Sequence, residues 1–585
     1  MDEEEKKLAE ELLFSEQKNP SFAKQLFFGK FDHSLVFPYP YPDNAEEEEI
    51  AEYVRKVAEF SDDRIDAAEI DRQAQIPDEV LKGLADLGVL GMTVPKEFGG
   101  LGMSQRAYCK VTDKIAQNCG STALFINVHQ SIGLKALLLF GTDEQRKKWL
   151  PDLAKGKKFA AFSLTEPNAG SDANGVETKA VYDPEKKVYR INGLKQWTTN
   201  GSIADILTVM AKTEVETADG VQERVTAFLV TPDMPGFIVR DKALDKLGTR
   251  GTWTANLAFN DMEVPEENIL GPKGGGLKVC LTLLDYGRTT FGAMCTGAAR
   301  ELVRLGVKHS RERYQFKRPL ASFPLVKKKI SKICSLLYAM DAATYLTAGL
   351  IDNDVEDIML ESAILKVFTS DALWEILYEV MQILGGRSFF TDQPYERMMR
   401  DARLNMIGEG SNEVLRAFIG VVGMRDVGME LKGSLDAFKG VFSNAGRAWG
   451  HGSKLFSRFF LPTIPVRSSH LQEEAKGLAG VVRKMHWYSA SLLAKHGEEI
   501  VERQLQLDRI ASIAMAVYVS SAVLSKLDTD LAAVDNKKEA LGNDFPIATF
   551  FIRRQLDMCR RLFTGIEAND DKSIVSLSDT ITGIE

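Results

Sequence analysis

The chain has 585 residues, enough for several domains, because single hydrophobic cores rarely grow beyond about 250–300 residues. Hydrophobic residues make up 44% and charged residues 26%, as in a globular protein, and a formal charge of −9 argues against a general nucleic-acid binder, which carries a basic surplus. Six cysteines without a CxxC pair and seven histidines without HExxH spacing offer neither a zinc site nor a disulfide framework, so no metal centre is expected and a reducing compartment fits.

The N-terminus, MDEEEKKLAEELL, is acidic and helix-prone. A signal peptide needs a basic start and an apolar run, and a transit peptide is Arg-rich, so the sequence predicts a cytoplasmic protein or a mature form without its address. No stretch reaches the roughly 18–20 continuous apolar residues of a membrane span, and Ala511–Leu524, interrupted by serines, reads as a buried helix. An N-terminal extension, residues 1–45, ends in the proline-rich Phe37–Pro42, which excludes a helix. Residues 46–160 carry helical patterning: Val80, Leu84 and Leu87 recur at i, i+4, i+7, and Thr122–Lys135 is an apolar helix candidate. At about residue 160 the period changes, and Val188–Gly193, Thr226–Val230 and Ala255–Phe259 read as strands of a β domain over 161–275. Residues 276–425 are helical again, 426–470 form a looser linker, and 471–585 read as a further helical domain. The expected fold class is mainly α with a central β domain.

Chemistry enters through six dispersed motifs: Phe162–Asp172 (FSLTEPNAGSD), Asn192–Gly201 (NGLKQWTTNG), Leu283–Arg288 (LLDYGR), Arg311–Leu320 (RERYQFKRPL), Gln382–Gly386 (QILGG) and Gly408–Arg416 (GEGSNEVLR). In this order and spacing they resemble the acyl-CoA dehydrogenase family over about residues 45–425. Within it, VFPYP, HQSIG (His129–Gly133) and the C-terminal extension look like the dimeric, very-long-chain branch. The resemblance implies an N-terminal helical domain, a middle β-barrel-like domain and a four-helix bundle, followed by the extra helical domain. It also implies FAD as cofactor and the oxidation of a fatty acyl-CoA to the trans-2-enoyl-CoA in β-oxidation. An electron-transfer flavoprotein is the expected acceptor.

Residue by residue, the resemblance puts Phe162, Leu164, Thr165, Trp197 and Thr199 at the flavin ring, and Ser171 near phosphate groups and the acyl-CoA. Arg313, Gln315, Phe316, Gln382 and Gly386 match contacts supplied to the cofactor across a subunit interface, which implies a homodimer; Ser411 belongs to the same cofactor set. An Arg suits a pyrophosphate because its planar fork pairs phosphate oxygens bidentately. Asp285 and Arg288, on one helical face at i, i+3, match CoA contacts, the Arg toward the nucleotide end, with Gly410 also at the substrate. An intrahelical salt bridge is the plainer reading of that pair.

Glu409 matches the base that removes the α-proton. Its flanking glycines let the backbone approach a ligand closely, and a carboxylate serves if the site is dry enough to raise its pKa. A minority of the family carry the base immediately before the Arg of the LLDYGR-like motif; here that residue is Gly287, which cannot ionise. Gly408 stands where the family usually has an aromatic, so chain-length preference is open at this point. The pocket floor falls on Leu124–Val128, where Leu124, Phe125, Ile126 and Val128 are apolar and nothing polar stops a long chain. Basic and aromatic residues interleave over 438–467, which fits an amphipathic segment meeting an anionic inner-membrane surface, or else a linker packing its rings on the core. An acyl-CoA oxidase, or a non-catalytic assembly scaffold on the same fold, are the alternative functions.

Overall fold

The computed structural model describes residues 21–217, 220–439 and 461–584. The acidic N-terminal stretch read as helix-prone lies outside them, as does the basic–aromatic segment apart from 438–439 and 461–467.

The first helical layer comprises α1 (Phe22–Phe27), α2 (Asn44–Arg64), α3 (Ala67–Gln73), α4 (Asp78–Asp86), α5 (Gln105–Asn118) and α6 (Gly120–Asn127). The apolar run expected over Thr122–Lys135 is not one regular helix. α6 passes into a π-helical turn over Val128–Leu134 before α7 (Lys135–Phe140) and α8 (Asp143–Ala154). Two buried side chains fix that turn. His129 Nδ1 accepts from Ala160 N at 3.1 Å and its Nε2 faces Leu153 O at 3.2 Å, while Gln130 Nε2 donates to Val89 O at 2.6 Å. π-turns are rare and concentrate at functional sites.

The middle domain contains β1 (Ala160–Ser163), β2 (Lys179–Asp183), β3 (Val188–Thr199), β4 (Ile206–Thr217), β5 (Gly220–Val230), β6 (Phe237–Asp241), β7 (Thr254–Pro265) and β8 (Ile269–Leu270). The sheet order is β6-β7-β3-β2-β4-β5-β8, with β1 parallel to β4, and its own apolar core includes Tyr189, Ile191, Phe228 and Met262. All three predicted strands fall within β3, β5 and β7.

The bundle follows: α9 (Gly276–Glu312), a hairpin of β9 (Tyr314–Gln315) and β10 (Arg318–Pro319), α10 (Pro324–Asp352), α11 (Met359–Leu384), α12 (Tyr395–Leu404) and α13 (Asn412–Lys439). α13 runs without interruption past residue 425, where the linker was expected to begin. The last domain is α14 (Gln472–His496), α15 (Gln504–Ala533), α16 (Asp544–Glu567) and α17 (Asp571–Thr582). Among the described residues, three helical stretches are long and apolar enough to cross a membrane, Gly120–Phe140, Pro324–Asp352 and Gln504–Ala533. The last has 89% of its apolar window buried within the protein, as a core helix does.

Within the N-terminal extension, residues 21–44 form a strap. Ser21 Oγ and Ala23 N both donate to the buried Glu361 carboxylate on α11, at 2.7 and 2.9 Å. The Phe27 ring lies against Gly423 of α13, where any Cβ would collide with it. Tyr39 OH donates to Ala342 O in α10 (2.8 Å), and Tyr41 OH donates to Asp530 in α15 (2.7 Å). The strap thereby joins the bundle to the C-terminal domain.

Candidate active site

Glu409 sits in the turn over 405–411 between α12 and α13, with φ +57°. A left-handed conformation costs a non-glycine residue roughly 1–2 kcal/mol and persists only where its surroundings enforce it. Here the enforcement comes from two buried cations acting on backbone carbonyls. Arg288 Nε (α9) donates to Glu409 O at 3.2 Å, and Lys366 Nζ (α11) donates to Gly410 O at 2.6 Å. Lys366 also donates to Asn412 Oδ1 (2.9 Å), and the Asn412 amide reaches Asp371 (2.7 Å) at the start of α13. Gly410, at φ +97°, completes a turn that only glycine adopts freely.

The Glu409 carboxyl group is enclosed although its backbone is half-buried. Oε1 accepts from Asn127 Nδ2 at 3.1 Å; Oε2 is buried with no hydrogen-bond partner among the described residues. Burial pushes its pKa up to about 7, against the opposing pull of Arg288, Lys366 and the Asn127 amide. Gly287 is the nearest part of α9: a Cβ built there would lie 2.9 Å from Oε2. Gly287, which cannot ionise, and the Glu409 carboxyl group therefore meet at one point in the fold.

Asp285 is buried, accepts from Ser362 Oγ at 2.8 Å, and pairs with Arg288 at 3.5 Å; burial raises its pKa to about 6. The intrahelical salt bridge is thus present. Arg288 is buried against the Glu409 turn, where it donates to the Glu409 carbonyl. Ser171 is exposed in the turn after β1, and Ser411 lies at the mouth of the Glu409 turn.

Phe162 lies in β1, Leu164 and Thr165 follow it, and the segment is stitched to the end of β3. Gln196 N donates to Thr165 O (2.8 Å), Lys195 Nζ donates to Leu164 O (2.9 Å), and the Ser163 and Thr198 hydroxyls lie 2.8 Å apart. Lys195 also pairs with Glu166 at 2.6 Å, both side chains buried. A bulge between Lys195 and Thr198 gives Trp197 φ +57° and turns its indole outward, leaving it 60% exposed. Trp197 is therefore not a core aromatic but an open stacking face, with Thr199 half-buried beside it. Asn200, next in the chain, donates to Phe125 O in α6 (3.4 Å) and ties this platform to the helix that ends at Asn127.

Arg313, Gln315, Phe316, Gln382 and Gly386 are exposed. Phe316 and Lys317, at φ +51° and +63°, form the tip of the β9–β10 hairpin, and Phe316 is 88% exposed. Arg313 and Arg387 both lie close to His309, so the hairpin and the Gln382–Gly386 turn share one end of the bundle.

Family models match nearly the whole length in order: "Acyl-CoA dehydrogenase, N-terminal domain" over 44–157, the middle domain over 161–262, the C-terminal domain over 274–423, and "ACAD9/ACADV, C-terminal domain" over 469–583. The chain belongs to the acyl-CoA dehydrogenase family. The very long-chain specific acyl-CoA dehydrogenase of Bos taurus is 35% identical over 520 residues, 88% of this chain and 79% of its own. The probable acyl-CoA dehydrogenase FadE10 of Mycobacterium tuberculosis is 32% identical over 600 residues, 99% of this chain and 91% of its own. An acyl-CoA dehydrogenase of Bacillus anthracis, solved with FAD, superposes with a TM-score of 0.79 at 26% identity, covering 96% of this chain and 95% of that one. The chain is an FAD-dependent oxidoreductase, and the described residues fit its cofactor: Trp197 offers a ring face that no other ring covers among them, beside the Thr165 and Thr199 hydroxyls.

Sequence reading missed Lys366 and Asn127. Lys366, a lysine inside the apolar run of α11, carried a signal, since a fully buried lysine needs a partner. Asn127 was passed over because its neighbours are apolar.

Lys195→Met leaves Glu166 charged and unpaired in the interior, which costs about 3–5 kcal/mol and frees the Leu164–Thr165 segment. We expect a lower melting temperature and loss of FAD on gel filtration, read from the 450 nm to 280 nm absorbance ratio; full flavin retention would contradict this role for the pair.

Proposed function

We propose that this acyl-CoA dehydrogenase oxidises long or very long fatty acyl-CoA, with Glu409 removing the α-proton. The observation that carries this is the enclosed, unpartnered Oε2 of a carboxylate held near neutrality beside Gly287. A base poised near the working pH gives the best compromise between being ionised and being strong. Oε2 takes the proton; the C–H electron pair becomes the α,β double bond as a hydride leaves the β-carbon. FAD, when bound, supplies the two-electron acceptor for that hydride. The Glu409 N–H, which has no intrachain hydrogen bond among the described residues, is the donor proposed for the thioester oxygen, where negative charge develops. Phe162, Leu164, Thr165, Trp197 and Thr199 hold the ring, and Asp285 and Gly410 line the thioester end.

The chain-length reading rests on likeness to the very long-chain relatives and on the apolar stretch of α6. Because Gly408 has no side chain, and a Cβ there would meet nothing nearer than 3.6 Å, the turn leaves room beside the base. Glu409→Gln should keep yellow FAD but lose anaerobic flavin bleaching by acyl-CoA, by at least three orders of magnitude in rate as a rough expectation. In the unaltered enzyme kcat/KM should rise with pH through about 7, because only the ionised carboxylate accepts the proton. Undiminished bleaching, or a flat profile between pH 6 and 8, would sink the assignment.

The exposed hairpin tip supports a homodimer in which Arg313, Gln315, Phe316, Gln382 and Gly386 reach the partner's cofactor, since an 88% exposed Phe beside an exposed Arg suits a covered surface. Arg313→Ala should weaken FAD binding about tenfold or more with Trp197 intact, measured by flavin fluorescence on dilution. An electron-transfer flavoprotein is the proposed acceptor. The proposed place is cytoplasmic, peripheral at the inner membrane, with residues 438–467 as the contact. Arg467 pairs with the buried Asp528 at 3.0 Å, so any contact falls to residues before it. Deletion of 438–460 should abolish flotation with anionic liposomes at low salt, and unchanged flotation ends the membrane reading.

A further inference from the structure

We infer that Asn127 is a positioning residue for the base: its side-chain amide caps one carboxylate oxygen of Glu409 and leaves the other as the proton acceptor. The inference rests on Glu409 being the base.

Asn127 is the last residue of α6 and is 0% exposed, among the buried Leu124, Phe125, Ile126 and Val128. An amide in such a wall costs a few kcal/mol unless it is hydrogen-bonded. It makes one bond, Nδ2 to Glu409 Oε1 at 3.1 Å, while its Oδ1 is buried without a partner. The amide's orientation follows from chemistry, since an ionised carboxylate only accepts and must face the NH2 group. This is the one side-chain hydrogen bond to the Glu409 carboxyl group among the described residues, because Arg288 donates to its carbonyl and Lys366 to that of Gly410. Oε1 is thus occupied, and Oε2, against Gly287, stays open.

The amide is held in place. The π-turn begins at the next residue, and His129 and Gln130 anchor it to Leu153, Ala160 and Val89. The ionisable groups facing Glu409 are Arg288 and Cys295 from α9, Lys366 from α11 and Tyr108 from α5. Tyr108 is itself bonded to Ser131, and none of these groups bonds to Asn127. Its removal therefore subtracts one donor to the charged form and leaves their fields in place. The sign is fixed: a donor to the carboxylate favours ionisation, so losing it raises the pKa.

The experiment compares FAD-loaded wild type with Asn127→Leu and with Asn127→Ala, which removes the donor without adding bulk. In each, the acid limb of kcat/KM should move up by about one pH unit, kcat at neutral pH should fall about tenfold, and KM should change little. Infrared difference titration of the carboxyl stretch, assigned by its absence in Glu409→Gln, should show the same upward shift without turnover. A limb and a carboxyl titration unmoved in both variants would overturn the proposal, even if kcat fell. Glu409→Gln separates the two readings: retained bleaching there removes the base itself, whereas lost bleaching with unshifted Asn127 variants removes only the positioning role.

Discussion

A carboxylate held in a left-handed turn is the constraint on which the rest of the site depends. Glu409 cannot adopt φ +57° cheaply, and its carboxyl group cannot stay ionised in an enclosed space without help. Both problems are met by the same two residues. Arg288 and Lys366 bond the carbonyls of Glu409 and Gly410, which fixes the backbone, and their charges pull the carboxyl pKa back from the value burial alone would impose. Placing the cations on carbonyls rather than on the carboxylate matters. A direct ion pair would hold the carboxyl group in its ionised form, whereas field at one remove leaves its pKa near 7.

Each cation stands on a long helix, and neither helix reaches the turn alone. α9 carries Arg288 and, one residue earlier, Gly287, whose missing side chain makes room for Oε2. α11 carries Lys366 on the face toward α13, where Asn412 and Asp371 close the network. The β domain is tied to this arrangement through Asn200 and α6, so the open face of Trp197 and the Glu409 carboxyl group share a common support in the helix that ends at Asn127. A flavoenzyme needs that rigidity, because an error of an ångström between base, thioester and hydride acceptor costs orders of magnitude in rate.

The layered fold, the strands and the motif residues were legible because they depend on local period and local backbone need. Trp197 is the instructive case: its string alone fits a core aromatic, and only the β3 bulge shows the ring facing out. What escaped were buried polar contacts between residues far apart in sequence. Asn127 and Glu409 are separated by 282 positions, and Ser21 and Glu361 by 340, so no periodicity links them. Residues 21–42 read as an extension because proline and aromatic content excludes a helix without saying what the segment packs on.

Asn127 and Gly408 together change how the substrate pocket should be understood. On the proposed reading, the open space at Gly408 and the amide of Asn127 both lie at the thioester end, beside the Glu409 carboxyl group. The rest of the α6 wall, Leu124 through Ile126, stays apolar and buried. On the proposed reading, chain length is met by the apolar wall, whereas the Asn127 amide sets which oxygen of Glu409 is free. Gly408 places no side chain beside the carboxylate, and the Asn127 amide holds one of its oxygens from the α6 side. Without that amide, neither carboxylate oxygen would have a side-chain hydrogen bond among the described residues, and the proposed direction of proton removal would rest on the packing against Gly287 alone.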